Sequence, residues 1–146
     1  MAEDRYRQIL KQYWGYDDFR GIQLDIIASV CAGRDTLGLM PTGGGKSICF
    51  QVPALAMEGV CIVVTPLISL MKDQVANLKR RGIKAEAVYS GMMREDTIRI
   101  LDNCVLGGCT LLYVSPERLG TELFQAKLVR MRRVSLIVVD EAHCIS

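Results

Sequence analysis

The run VCIVV at residues 60–64 contains no polar residue. A strand with one wet face alternates apolar and polar positions, so an unbroken apolar strand is buried on both faces, as in a parallel sheet covered by helices. The stretches TLGLM (36–40), AEAVYS (85–90), TLLYVS (110–115) and SLIVVD (135–140) read as further strands. A chain that must cover both faces of such a sheet needs helices between its strands, and the segments between them supply them.

Tyr6, Ile9, Leu10 and Tyr13 recur at helical spacing, and Ile22, Ile26, Ile27 and Val30 start a second helix closed by Gly33. Residues 46–57 predict a helix that Pro53 kinks or splits. Thr65 and Pro66 form an N-cap and first-turn pair for a helix with Leu67, Leu70, Met71, Val75 and Leu78 on one side, and Gly82 ends it. Helices over about 93–106 and 120–132 complete the series. Strand–helix alternation at this spacing defines an α/β fold: a parallel sheet flanked by helices.

The 146 residues suit one domain, with no repeats, linkers or low-complexity tracts. A formal net charge of +2 argues neither for nor against a polyanionic partner. No stretch approaches the roughly 20 apolar residues of a membrane span, and the charged start MAEDRYRQIL is unlike a secretory signal. Six cysteines without a CxxC pair, and a single histidine, do not suit a zinc site. Several lie in apolar runs, where a thiol packs as a small core residue, and a reducing cytoplasm follows.

MPTGGGKS (40–47) runs from a strand into a helix. Gly43, Gly44 and Gly45 let the backbone curl so that successive amides point at a phosphate, to which the new helix adds its own N–H groups. With Thr42 they form a nucleotide-binding turn; Lys46 reaches the β- and γ-phosphates and the Ser47 hydroxyl ligates Mg²⁺. One position departs from the phosphate-loop pattern: Met40 stands where glycine is usual. Asp140 and Glu141 follow the last apolar run. Alone, such a pair is common in solvated loops. Beside a phosphate loop it divides the work: Asp140 holds Mg²⁺, and Glu141 orients or deprotonates the attacking water.

In order and spacing, GYDDFRGIQ (15–23), MPTGGGKS, TPLISLMKDQV (65–75), YVSPERL (113–119) and DEAHCIS (140–146) resemble the early motifs of RecQ-type DNA helicases of superfamily 2. On its residues alone, WGYDDFRG reads as an interhelix loop with a packed tyrosine and phenylalanine. The resemblance implies that Tyr16 and Arg20 sandwich an adenine while Gln23 reads its edge, with Phe19 packing. It implies single-stranded DNA contacts at Thr65, Ser69, Ser115 and Arg118, and a relay role for His143 between the γ-phosphate and a DNA-binding loop beyond Ser146. The basic runs KRR (79–81) and RMRR (130–133) read as solvated helix ends.

The resemblance divides the chain into a helical segment with the adenine motif (1–33) and part of a RecA-like lobe (34–146). It implies ATP and Mg²⁺ as cofactors and single-stranded or partly duplex DNA as partner, with 3'–5' unwinding by a longer protein. That protein is cytoplasmic, nucleoid-associated in a bacterium and nuclear in a eukaryote. The chain is expected to lack a central strand of its sheet and the second helicase lobe, and alone to be weakly active or inactive. Two other readings stay open: a non-catalytic nucleotide- or DNA-binding module, and an RNA-dependent ATPase of related build.

Overall fold

The computed structural model describes residues 2–34 and 46–140. The strand expected at 36–40, the loop residues 42–45, Glu141 and His143 lie outside the described residues. The chain forms two compact units, Met1–Met57 and Glu58–Ser146.

The first unit holds helices α1 (Ala2–Trp14), α2 (Gln23–Cys31) and α3 (Ile48–Ala56). Tyr6, Ile9 and Leu10 of α1 meet Ile27 of α2 and Ile48 and Val52 of α3 in one apolar cluster. This is the helical spacing of the sequence turned into packing. Pro53 lies inside α3 without splitting it. The helix runs on to Ala56, and the Met57 N–H donates to the Pro53 carbonyl at 3.0 Å.

The second unit is a parallel sheet of β1 (Val60–Val64), β2 (Ala85–Val88), β3 (Leu111–Val114) and β4 (Val134–Val139), in the order β2-β3-β1-β4. Helices α4 (Ile68–Arg80), α5 (Arg94–Val105), α6 (Pro116–Leu119) and α7 (Glu122–Leu128) connect the strands. Ile62, Leu112 and Val114 pack with Leu101 of α5 and Phe124 of α7. Tyr113, of opposite parity on β3, donates its hydroxyl to Gln74 Oε1 on α4 at 2.6 Å. Helices therefore cover both faces, and all five residues of β1 are buried, as an unbroken apolar run requires.

Several local expectations are corrected. Helix α4 begins at Ile68 with Leu67 as N-cap, not at the Thr65–Pro66 pair. Thr65 stays in the sheet ladder, its N–H donating to the Val114 carbonyl at 3.1 Å, while its hydroxyl accepts from Leu67 N at 3.4 Å. Only Met71, Val75 and Leu78 of the apolar set are buried; Leu67 and Leu70 are exposed. Met71, Val75 and Leu78 share one face at i, i+4 and i+7, while Leu67 lies before the first turn and Leu70 at the edge of that face.

The single helix expected over 120–132 is instead two. Pro116 starts α6 directly after β3, and Thr121 caps α7 by accepting from Phe124 N at 3.3 Å. Since α7 ends at Leu128, the arginines of RMRR lie beyond a helix end, while Met131 is buried in the core. Strand β4 is less enclosed than its composition predicts: Ile137 is 62% exposed, and among the described residues β4 pairs only with β1.

Most of the described cysteines behave as core residues: Cys49, Cys61, Cys104 and Cys109 are buried thiols outside any disulfide, and Cys31 is half-buried. Burial pushes Cys49 up to about 11 and Cys61 up to about 12, away from the reactive thiolate. Among the described residues no cluster of His, Cys, Asp and Glu could hold a metal, and no helix is long and apolar enough to cross a membrane.

Candidate nucleotide and nucleic-acid site

In the first unit, Lys46 and Ser47 lead into α3. The Lys46 carbonyl accepts from Cys49 N at 3.1 Å, and the Ser47 carbonyl from Phe50 N at 3.2 Å and Gln51 N at 2.9 Å. Both side chains are half-buried, and the Ser47 hydroxyl makes no capping bond to the helix it starts. A hydroxyl not used in capping, at the N-terminal end of a nine-residue helix, suits a hard cation beside an anion.

The segment between α1 and α2 carries the adenine motif. Tyr16 is 52% exposed and Arg20 is exposed, so of the aromatic pair in WGYDDFRG only Phe19 packs against the cluster of this unit. Gln23 is buried at the start of α2, where its Oε1 accepts the Arg20 N–H at 2.8 Å and its own N–H donates to the Arg20 carbonyl at 3.1 Å. That reciprocal pair fixes the Arg20 backbone over α2.

Helix α1 braces the same segment. Arg7 Nε donates to Asp18 Oδ1 at 3.0 Å, and Lys11 Nζ to Asp17 Oδ1 at 2.9 Å. Asp18 Oδ1 also accepts from Phe19 N at 2.8 Å. The Arg7 guanidinium, with the Phe19 N–H, holds the Asp18 carboxyl below the usual carboxylate range. Sequence reasoning missed these four charged residues. Each pair joins α1 to the loop that follows its end at Trp14, so no helical spacing applies across it and only the folded loop brings the charges together.

In the second unit, three of the singled-out residues lie one step past neighbouring strands. Ser115 N donates to the Val88 carbonyl at 3.1 Å, Thr65 N to that of Val114 at 3.1 Å, and Asp140 N to that of Val64 at 2.9 Å. Each bond extends a parallel ladder by one rung, so Thr65, Ser115 and Asp140 stand at one level along the carboxyl rim of the sheet. Thr65 is 2% exposed, Ser115 0% and Asp140 6%. Ligands of open α/β sheets bind outside this rim. A buried carboxylate there is the hard oxygen donor that Mg²⁺ takes, so Asp140 fits that ion.

The rest of the DNA set is differently placed. Ser69 is exposed in the first turn of α4. Ser115 Oγ is buried without a hydrogen-bond partner. Arg118 donates from Nε to the Tyr89 carbonyl at 3.0 Å and from Nη2 to the Met92 carbonyl at 2.8 Å. The basic run at 79–81 is exposed, with Lys79 paired to Glu86 at 3.0 Å.

A parallel sheet layered by helices, with hydroxyls and a carboxylate along its carboxyl rim, defines an α/β lobe. The profile of the DEAD/DEAH box helicase family matches residues 20–146, and the chain belongs to that family. Over 138 residues it is 44% identical to the ATP-dependent DNA helicase RecQ of Haemophilus influenzae, covering 94% of this chain and 22% of that protein. It is likewise 44% identical over 143 residues to the ATP-dependent DNA helicase RecQ of Bacillus subtilis, covering 97% and 24%. The chain thus spans about a quarter of the length of these relatives. Among solved structures, the DUF1998 helicase MrfA, bound to DNA and AMPPNP, superposes with a TM-score of 0.75 at 20% identity, over 97% of this chain and 21% of that one. At that identity the likeness concerns the fold, a RecA-like helicase lobe.

Proposed function

We propose that this chain is the ATP-binding part of an ATP-dependent DNA helicase of RecQ type, in which ATP hydrolysis drives 3'–5' unwinding by the longer protein. Residues 1–33 carry the adenine-recognition segment, and residues 34–146 part of the first RecA-like lobe. The observation that carries the reading is the rim itself: Thr65, Ser115 and Asp140 at the carboxyl ends of three neighbouring parallel strands.

In this reading Tyr16 and Arg20 offer two flat faces to the adenine, and Gln23 reads its edge. Gln23 Oε1 already accepts from Arg20 N, so base recognition shares or exchanges that bond. Thr42, Gly43, Gly44 and Gly45 cradle the phosphates, and Lys46 neutralises charge as the γ-phosphoryl leaves. Ser47 and Asp140 would hold Mg²⁺, which when bound neutralises developing phosphate charge. Glu141 accepts the proton of the attacking water, and His143 relays the state of the γ-phosphate towards bound DNA. Thr65 and Ser69 are assigned to the sugar-phosphate backbone, to which their hydroxyls can donate. A second lobe completes the cycle of closure and release. The protein works where DNA lies, in the cytoplasm or nucleoid of a bacterium or the nucleus of a eukaryote.

The test compares the full-length protein with its Lys46→Ala variant. The wild type hydrolyses ATP faster with single-stranded DNA than with single-stranded RNA and unwinds a 3'-tailed duplex, while the variant does neither. Unwinding by Lys46→Ala, or activation by RNA alone, overturns the assignment.

A further inference from the structure

The two carbonyls that Arg118 holds belong to the first and last residues of one turn. Tyr89, Ser90, Gly91 and Met92 follow β2, and the Met92 N–H closes the turn on the Tyr89 carbonyl at 3.3 Å. Gly91 stands third with φ +95°, which a type II turn demands at that place and side chains resist. The Tyr89 N–H reaches Met92 Sδ at 3.4 Å, and Ser90 Oγ donates to Glu117 Oε2 at 3.4 Å. On the other side the Lys72 ammonium of α4 sits 4.8 Å from the Tyr89 ring centroid.

We infer that Arg118 is a positioning residue: its guanidinium locks the Tyr89–Met92 turn on the carboxyl rim and acts on nucleic-acid binding through that turn, not by touching a phosphate. A guanidinium presents its donors in a rigid planar fork. Here two prongs of that fork reach Tyr89 O and Met92 O, the i and i+3 carbonyls of the turn, and Glu117 adds a third tie from the same short helix. The turn also fixes where β2 ends and where α5 starts, with Met93 as its N-cap. Binding energy used to order a loose turn is lost from affinity, so a turn ordered beforehand binds more tightly. Arg118 would supply that order to a rim that already carries Thr65 and Ser115.

The inference rests on the reading that this rim meets single-stranded DNA, and the experiment separates the two. Hydrogen exchange at the Met92 amide is measured without DNA in the wild type, Arg118→Lys and Arg118→Ala, followed by single-stranded DNA binding across a salt series. Lysine keeps the positive charge that a phosphate would need but lacks the fork. The lock predicts exchange at Met92 about tenfold faster or more in both variants, with DNA affinity falling alike in both. Unchanged exchange in both variants overturns it. So does retained affinity in Arg118→Lys with a salt slope lower by about one in Arg118→Ala only, the mark of a phosphate contact. Should neither variant fold, Gly91→Ala decides: it strains the turn with Arg118 in place, and undiminished DNA binding would refute the proposal. A wild type that binds no single-stranded DNA sinks the reading of the rim, while exchange still decides the lock.

Discussion

Arg7 Nε on α1 lies 3.0 Å from Asp18 Oδ1, in the segment that presents Tyr16 and Arg20. This contact, with Lys11–Asp17, makes the first helix a brace for the loop proposed to hold adenine.

The brace has a pH signature. The folded-state Asp18 carboxyl is held below its ordinary value by Arg7, so its support is present above a pH of about 4 and is lost as pH falls through that lowered value. Carboxyl-carbon NMR should therefore place the Asp18 midpoint below the ordinary value, and Arg7→Gln should raise it partway back, the Phe19 N–H still holding it down. Because the pair is exposed, the fold should survive that substitution, and affinity for an adenine nucleotide should drop only about two- to fivefold. An unshifted midpoint in the wild type, or a Tyr16–Arg20 segment indifferent to Arg7, would remove the brace.

Gly59 governs the register that brings Asp140 to the rim. Its φ is +114°, and a Cβ there would stand 2.6 Å from the Arg133 carbonyl and 3.1 Å from Ser135 N. The β1–β4 pairing shifts register at this point, from Val60 opposite Val134 to Cys61 opposite Leu136. The bulge brings β4 close against β1, and only a residue without a side chain leaves room. Gly59→Ala should destabilise the chain by roughly 2–4 kcal/mol through backbone strain and overpacking. Urea unfolding checks this. An alanine variant of wild-type stability would show that the strand edges relax freely, and Asp140 would then owe its place to something else.

How much of this was legible beforehand depends on the range of the interaction. Strands β1 and β3 and the parallel layering followed from runs such as VCIVV, because burial on both faces is written into every residue of the run. Local signals fared worse where two competed. Thr65 and Pro66 have the chemistry of a helix start, but the sheet claims Thr65 as one more rung, delaying α4 to Ile68. The 120–132 stretch has helical spacing, yet Pro116 and the Thr121 cap divide it. The rim residues Thr65, Ser115 and Asp140 were singled out from their motifs, and Arg118 from the same resemblance, which says nothing of what holds its guanidinium in the folded chain. Its partners are carbonyls 26 and 29 residues away, and no pattern in the sequence marks a carbonyl as an acceptor.

Ser115 offers the sharpest test of whether the rim was selected for stability or for use. Its residue is fully buried and its Oγ has no partner. Leaving a buried hydroxyl unsatisfied costs about 1–3 kcal/mol, and alanine is smaller by one oxygen in the same space. Ser115 is the N-cap of α6 by backbone geometry but makes no side-chain cap bond, so the substitution removes no cap bond. Ser115→Ala should therefore leave stability unchanged or raise it by about 1 kcal/mol, read by urea unfolding. If the hydroxyl contacts bound DNA, the same variant should bind single-stranded DNA several-fold more weakly despite its stability. A destabilised Ser115→Ala would mean that the hydroxyl is satisfied in solution, and a variant equal to wild type in both measurements would take Ser115 out of the DNA contact set.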